Sequence, residues 1–262
     1  MDLHLNGKTA IVTGASKGIG LAITTALAEA GVHVIAGARS ATAELRELES
    51  AGQATFVAVD LATADQPALL VEAAVEHGGL DILINNVGAA VPRPGGFTSI
   101  TDDDWNATWN LGVMAAVRTT RAAIPELLKR QGAAIVVVGS VNAFLPDPGL
   151  PDYCATKAAL TNLAKGLSKE LGPKGIRVNS VSPGPVTTPL WFAEGGVAST
   201  FAQASGQTPE EVANSAVAGT PLGRFSTPQE VADLVVFLAS DRAANITGSD
   251  MTVDGGMINT VR

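Results

Sequence analysis

Tyr153 and Lys157, in the run Tyr153-Cys154-Ala155-Thr156-Lys157, put a phenol and an amine four residues apart in a segment whose pattern predicts helix. Residues i and i+4 share a helix face, so the two polar heads can converge on one small volume. An ammonium beside a phenol favours the phenolate and lowers a pKa that is ordinarily about 10. The chemistry expected of such a pair is proton donation and abstraction near neutral pH. Tyr153 is the single tyrosine of the chain. Alone, a Tyr and a Lys at this spacing are more often a packed ring beside a solvated charge. Their company matters: Ser140 stands thirteen positions upstream of Tyr153, just past the apolar run 134–139, and a glycine-rich turn, Thr13-Gly14-Ala15-Ser16-Lys17-Gly18-Ile19-Gly20, lies near the start.

Short apolar strands and helical segments alternate along the chain. Strands are predicted at 9–13, 33–37, 55–59, 82–85, 134–138, 177–181 and 249–253. Helices are predicted at 21–30, 43–51, 66–77, 152–171 and 227–238, with one long helix from Asp102 to Arg130 after the capping run Thr101-Asp102-Asp103-Asp104. Thr227 reads as an N-cap with Pro228 at the first helical position. Strands that are continuously apolar rather than alternating predict a parallel sheet covered on both faces. The expectation is an α/β doubly wound, Rossmann-type fold of about seven strands, a single domain over residues 1–262. The stretch 183–219 is rich in Gly, Pro, Ser and Thr and is expected to be a long functional loop.

The glycine turn falls between the first strand and the first helix, where phosphate-binding turns sit. Its spacing is G-x-x-x-G-x-G, neither the common dinucleotide fingerprint nor a Walker loop. At the end of the second strand, where a site for NAD carries an acid to bind ribose hydroxyls, the chain has Ala38 followed by Arg39. An arginine suits a 2′-phosphate, and Lys17 adds a second positive charge, so NADP(H) is expected over NAD(H). The other reading of Arg39 is a solvated loop charge. Asp60 with Leu61 after the third strand, and Asn85-Asn86-Val87-Gly88 at the end of the fourth, fall at carboxyl ends of strands, the edge where open α/β sheets bind ligands. Asp60 is expected near the adenine amino group, and 85–88 along the nicotinamide ribose.

With 46% hydrophobic residues the chain has enough apolar material for a sizeable core. A net charge of −8, from 17 basic and 25 acidic residues with no basic stripe, argues against nucleic acid as a partner. One cysteine, Cys154, allows no disulfide within the chain. The first residues lack a secretory signal pattern, and no apolar run reaches the roughly 18–20 residues a membrane span needs. A cytoplasmic protein is expected. The three histidines, His4, His33 and His77, lack metal-ligand spacing.

Together these motifs resemble the short-chain dehydrogenase/reductase family, in its single-domain branch, over Lys8 to Gly256. The matching residues are TGASKGIG at 13–20, Asp60, NNVG at 85–88, Asn110, Ser140, YCATK at 153–157 and Pro183-Gly184. Val87 departs from the family's usual alanine. The resemblance implies a tetrad of Asn110, Ser140, Tyr153 and Lys157. Tyr153 would protonate a carbonyl oxygen as hydride arrives, and Ser140 would orient that oxygen. Lys157 would bind the nicotinamide ribose and lower the Tyr153 pKa, and Asn110 would hold a water linking Lys157 to solvent. The turn residues Gly14, Ser16, Lys17, Gly18, Ile19 and Gly20, with Asn86, Gly88, Pro183, Gly184, Val186 and Thr188, would embrace the cofactor. The resemblance also implies a homotetramer, with the helices at 102–130 and 152–171 and the tail 257–262 as contact candidates; the sequence does not distinguish dimer from tetramer.

The segment from Thr188 to Val217 is expected to cover the substrate. Trp191, Phe192, Phe201, Phe144, Leu145, Leu150 and Pro151 are candidates for an apolar pocket wall, each equally able to bury against the lid itself. No Lys or Arg occurs between Arg177 and Arg224, which disfavours an anionic substrate. The expected substrate is an uncharged, mostly apolar ketone, aldehyde or secondary alcohol. A 3-oxoacyl thioester stays open, as does a non-catalytic NADP-binding sensor or scaffold on the same fold.

Overall fold

The computed structural model describes residues 2–260. Seven strands, β1 (Thr9–Thr13), β2 (His33–Ala38), β3 (Ala54–Ala58), β4 (Ile82–Asn85), β5 (Ala134–Val138), β6 (Arg177–Pro183) and β7 (Asp250–Val253), form one sheet in the order β3-β2-β1-β4-β5-β6-β7. Every pairing is parallel. Val12 lies between Ala36 on one side and Ile84 on the other. The strand order reverses at the β1–β4 junction, which opens a crevice at the carboxyl ends of those strands.

Successive side chains on each strand point to opposite faces. Val12, Ala36, Ile84 and Val136 join one core layer, with Leu27 and Val235 of the covering helices; Ile11, Ile35, Leu83 and Ile135 join the other, with Leu70, Leu127 and Leu160. The first layer is roofed by α1 (Gly18–Glu29) and α2 (Ala43–Ser50) early in the chain and α10 (Pro228–Ala239) late in it. The second is covered by α3 (Pro67–Glu76), α5 (Ala115–Leu127) and α6 (Pro151–Leu171). Both faces are buried, which explains strands that read as unbroken apolar runs.

Two elements differ from the sequence expectation. The helix expected from Asp102 to Arg130 is three pieces: α4 (Asp102–Trp109), a π-helical segment Asn110–Met114, and α5. The inserted turn brings Gly112 so close to α6 that a β-carbon there would lie 3.1 Å from Thr156 Cβ and Oγ1. The stretch 183–219, expected as a loop, carries α7 (Pro189–Phe192), α8 (Val197–Ser205) and α9 (Pro209–Val217). Local caps make the last of these. Thr208 Oγ1 accepts from the Glu211 amide and the Glu211 carboxylate accepts from the Thr208 amide, with Pro209 at the first helical position. Gly206, at φ 73°, ends α8 in the left-handed conformation. Of the tail proposed for subunit contact, Val261 and Arg262 lie outside the described residues.

Candidate active site

The glycine turn joins β1 to α1. The Gly14 and Ala15 amides both donate to the Gly37 carbonyl, at 2.8 and 3.1 Å, which ties the turn to the end of β2. Gly14 and Gly18 hold φ of 68° and 55°, a region costly for other residues. Gly20 is needed for space: a β-carbon there would sit 2.0 Å from the Gly14 carbonyl oxygen and 2.5 Å from Asn86 Nδ2. Lys17, the N-cap of α1, makes no side-chain cap, and the first turn carries no acid. The start of α1 therefore offers amides and positive dipole to an anion. Thr188 closes the turn from the far side, its methyl 3.4 Å from where a Gly18 β-carbon would lie. Ser16 and Ile19 are half-buried on the turn's surface.

Thr13 joins the turn to the next strand end, a part the sequence reading missed. Its buried hydroxyl donates to the Ile84 carbonyl and accepts from the Asn86 and Val87 amides, at 2.9 and 3.1 Å. Asn86 Nδ2 returns a bond to the Thr13 carbonyl at 2.9 Å. Asn85, expected beside it in the cofactor rim, turns the other way: it is buried and its Nδ2 donates to Thr120 Oγ1 at 2.9 Å. The alternation of faces along β4 is the reason. Asp60 stands exposed at the end of β3, its Oδ1 accepting from the Ala62 amide, while Leu61 is buried beneath it. Lys17 and Arg39 are both exposed, and neither is paired with a carboxylate among the described residues. Gly184 donates to Val253 at 2.9 Å, and Val186 bridges to Ser226, so the segment after buried Pro183 continues the rim.

Ser140, Tyr153 and Lys157 converge at the end of β5. Ser140 follows the strand in extended geometry (φ −167°), and its hydroxyl bonds Asn142 and the Tyr153 phenol. Lys157, one turn along α6 from Tyr153, is 4% exposed and donates to the Val138 carbonyl at 2.8 Å. Its Nζ lies 5.5 Å from the Tyr153 ring centre, and 3.5 Å from the place of a Gly88 β-carbon. The electrostatics correct the sequence expectation. Burial pushes the Tyr153 phenol up to about 12, against a lowering by the Ser140 hydrogen bond. Burial also brings the Lys157 ammonium down to about 8. Desolvation disfavours both charged forms, and at the phenol it outweighs the Ser140 hydrogen bond. Tyr153 is thus a phenol at neutral pH, in the form a proton donor needs.

Asn110 opens the π segment, and its Nδ2 donates to the Ala62 carbonyl at 2.5 Å, which also accepts from Arg118 Nη1 at 3.2 Å. That bond ties Asn110 to the loop that carries Asp60.

Above the Ser140–Tyr153 pair lies a cavity of about 550 Å³. Trp191, Phe201, Leu145 and Leu150 line it as expected, and Ile19, Val212 and Met257 join them. Phe192 and Phe144 do not: both are exposed, and Phe192 packs on Phe225 with ring centres 5.2 Å apart. Asn142, Asp147 and Ser215 are polar lining groups, and among the described residues no Lys or Arg lines the cavity. A second hollow of about 440 Å³ beside Arg224 and Gly255 shares no lining residue with it and none of the chemistry.

A parallel sheet in this order, crossed at its carboxyl edge by a glycine turn and a Ser-Tyr-Lys cluster, is the frame of a dinucleotide-dependent oxidoreductase. The chain belongs to the short-chain dehydrogenase/reductase family. The family model described as enoyl-(acyl carrier protein) reductase matches residues 14–258. The 3-oxoacyl-acyl-carrier-protein reductase of Thermotoga maritima is 33% identical over 98% of this chain and all of that one. The 2,5-dichloro-2,5-cyclohexadiene-1,4-diol dehydrogenase of Sphingobium indicum is 34% identical over 98% of each chain. Among solved structures, the L-sorbose reductase of Gluconobacter frateurii, in complex with NADPH and L-sorbose, matches with a TM-score of 0.90 at 37% identity over 100% of both chains. The protein is therefore an oxidoreductase of the carbonyl–alcohol class.

Proposed function

We propose that the protein is an NADP(H)-dependent enzyme that interconverts a carbonyl and a secondary alcohol on a small, uncharged, mostly apolar substrate, with Tyr153 as general acid and base. The observation that carries this is the meeting of Ser140 and Tyr153 on one wall of a cavity that also reaches Ile19 and Thr188 of the glycine turn and its cover, with buried Lys157 one helical turn along from Tyr153.

The residues present fit a dinucleotide. Gly14, Gly18 and Gly20 let the turn close on Asn86, Val87 and Thr188 where β-carbons would crowd, and the uncapped start of α1 suits a pyrophosphate. Arg39 and Lys17, free of carboxylates, suit a 2′-phosphate. Asp60 and Leu61 would border the adenine. Asn86, Gly88, Tyr153 and Lys157 would hold the nicotinamide ribose, with Pro183, Gly184, Val186 and Thr188 along the carboxamide. When bound, the nicotinamide supplies or accepts hydride. Ser140 Oγ orients the carbonyl oxygen, and Tyr153 gives that oxygen its proton. Charged Lys157 favours loss of that proton. Asn110 enters through the π segment it opens; its Nδ2 is held by Ala62, so the proposed water path to Lys157 runs by other atoms of that segment.

The lining explains the substrate class. A cavity lined by Asp147 and, among the described residues, by no Lys or Arg disfavours carboxylates and phosphates, whereas a neutral ketone meets mainly Leu145, Leu150, Trp191, Val197 and Phe201. A 3-oxoacyl thioester is the second reading, favoured by the likeness to the Thermotoga reductase. The proposal includes a homotetramer, which light scattering would read as about four times the 26.5 kDa chain, and a monomer would refute.

The test follows NADPH absorbance with L-sorbose, apolar cyclic and open-chain ketones, and a short 3-oxoacyl thioester, and repeats it with NADH. Turnover of a neutral ketone with NADPH preferred, and loss of that preference in Arg39→Asp, is the expected result. Tight NADPH binding without turnover on any substrate would point to a sensor instead.

A further inference from the structure

Arg93 lies on the segment between β4 and α4, outside every motif considered above. Its side chain is 12% exposed and its guanidinium is fully engaged. Nη2 donates to Asp152 Oδ2 at 2.6 Å and Nε to the same oxygen at 3.2 Å, while Nη1 donates to Asp104 Oδ1 at 2.8 Å. Asp152 is the residue before Tyr153, is 1% exposed, and carries two further bonds. Thr108 Oγ1 donates to Oδ2 at 2.8 Å, and the Tyr153 amide donates to Oδ1 at 3.1 Å. The Arg93 amide itself donates to the Gly149 carbonyl at 2.9 Å. One residue thus joins the segment after Asn86 and Gly88 to the start of α4 and the first turn of α6 through its side chain, and to the cavity-lining stretch 145–150 through its amide.

We infer that Arg93, acting through Asp152, is a positioning residue for Tyr153. A buried carboxylate that receives four hydrogen bonds has one place to sit, and the Tyr153 backbone is bonded to it. This network fixes the first turn of α6 against the segment that would hold the nicotinamide side of the cofactor. It therefore sets the reach from the Tyr153 hydroxyl to a carbonyl oxygen held by Ser140. Proton transfer is sensitive to that distance: displacements near 1 Å cost about 100-fold in rate. Asp104 serves the network from outside. It is held at about 2, first by hydrogen bonds from Thr101 and then by Arg93, so it stays charged. The network touches no part of the cavity's far wall, so substrate binding should change far less than turnover.

The inference rests on the reading of Tyr153 as the acid, and its test has a readout independent of turnover. Arg93→Met is compared with the unaltered protein for kcat and KM on the ketone of the panel turned over fastest, for NADPH affinity by fluorescence, and for amide hydrogen exchange in peptides spanning 150–157. The expected result is a kcat lowered about 10- to 100-fold, with KM and NADPH affinity within about threefold, faster exchange in 150–157, and substantial recovery of kcat in Arg93→Lys. A folded Arg93→Met with kcat unchanged, or with exchange in 150–157 unaltered, overturns it. Should Arg93→Met fail to fold, Thr108→Val decides, since it withdraws one donor from Asp152 without stranding a charge: a severalfold fall in kcat supports the inference and an unchanged kcat overturns it. Absence of turnover in the unaltered protein would count against the proposed activity, while the exchange measurement would still judge the placement of Tyr153.

Discussion

At the scale of single residues the site depends on burial more than on charge pairing. Tyr153 stays protonated because its phenol is pushed up to about 12, and Lys157 titrates early because burial brings it down to about 8. The sign of the pH dependence follows. Below about 8 Lys157 is charged and Tyr153 is a phenol, so the reduction should run at constant kcat from neutrality up to that point. Above it Lys157 loses its charge and kcat should fall; a pH–rate profile of ketone reduction that rises through pH 8–9 would contradict this account. The residue types and spacing of Ser140, Tyr153 and Lys157 were legible in the chain because a helix repeat and a strand end place them without help. The sense of the Tyr153 shift was not, because desolvation depends on how tightly distant segments close over the ring. Thr13 and Asn85 show the same limit: Thr13 bonds across to the end of β4 and Asn85 to Thr120 of α5, and neither choice is set by its own stretch of sequence.

At the scale of elements, two local rules account for what was read and what was missed. Thr227-Pro228-Gln229-Glu230 and Thr208-Pro209-Glu210-Glu211 are the same capping signal, and both open helices. The second was hidden by the Gly, Ser and Thr content around it, so the cover of the cavity read as loop. The π segment at Asn110 left no composition signal, since it arises where α4 and α5 accommodate α6 through Gly112 and Thr156. The glycine turn is the opposite case, for its spacing alone located the start of α1. Gly20 within it is the sharpest test of that element. A β-carbon 2.0 Å from the Gly14 carbonyl oxygen must push turn and helix apart, because both neighbours are held by the sheet. Gly20→Ala should lose about 1–3 kcal/mol of stability by overpacking and weaken NADPH binding at least tenfold, measured by denaturant melts and fluorescence titration. Unchanged binding in that variant would mean that the turn does not hold the cofactor.

At the scale of the molecule, strand order, two-faced burial and one crowded sheet edge give a frame in which a dinucleotide and a carbonyl meet. Fold and family follow from many weak signals in the right order along nearly the whole chain, which is why they survived errors in individual helices. Among the described residues no helix is long and apolar enough to cross a membrane. What the frame leaves open is the group attached to the carbonyl, since that is set by side chains such as Met257, Val212 and Asp147, brought to the cavity from separate parts of the chain. The central claim is that Tyr153 protonates a carbonyl oxygen as hydride passes from NADPH to its carbon. The most direct measurement uses NADPH carrying deuterium at both hydrogens of nicotinamide C4 with the best ketone of the panel, in the unaltered protein and in Tyr153→Phe. The account predicts deuterium on the carbinol carbon of the product, NADPH binding retained in Tyr153→Phe, and a turnover in that variant lowered by about 100-fold or more. Turnover in Tyr153→Phe within a few-fold of the unaltered protein, or product without deuterium on that carbon, would contradict it.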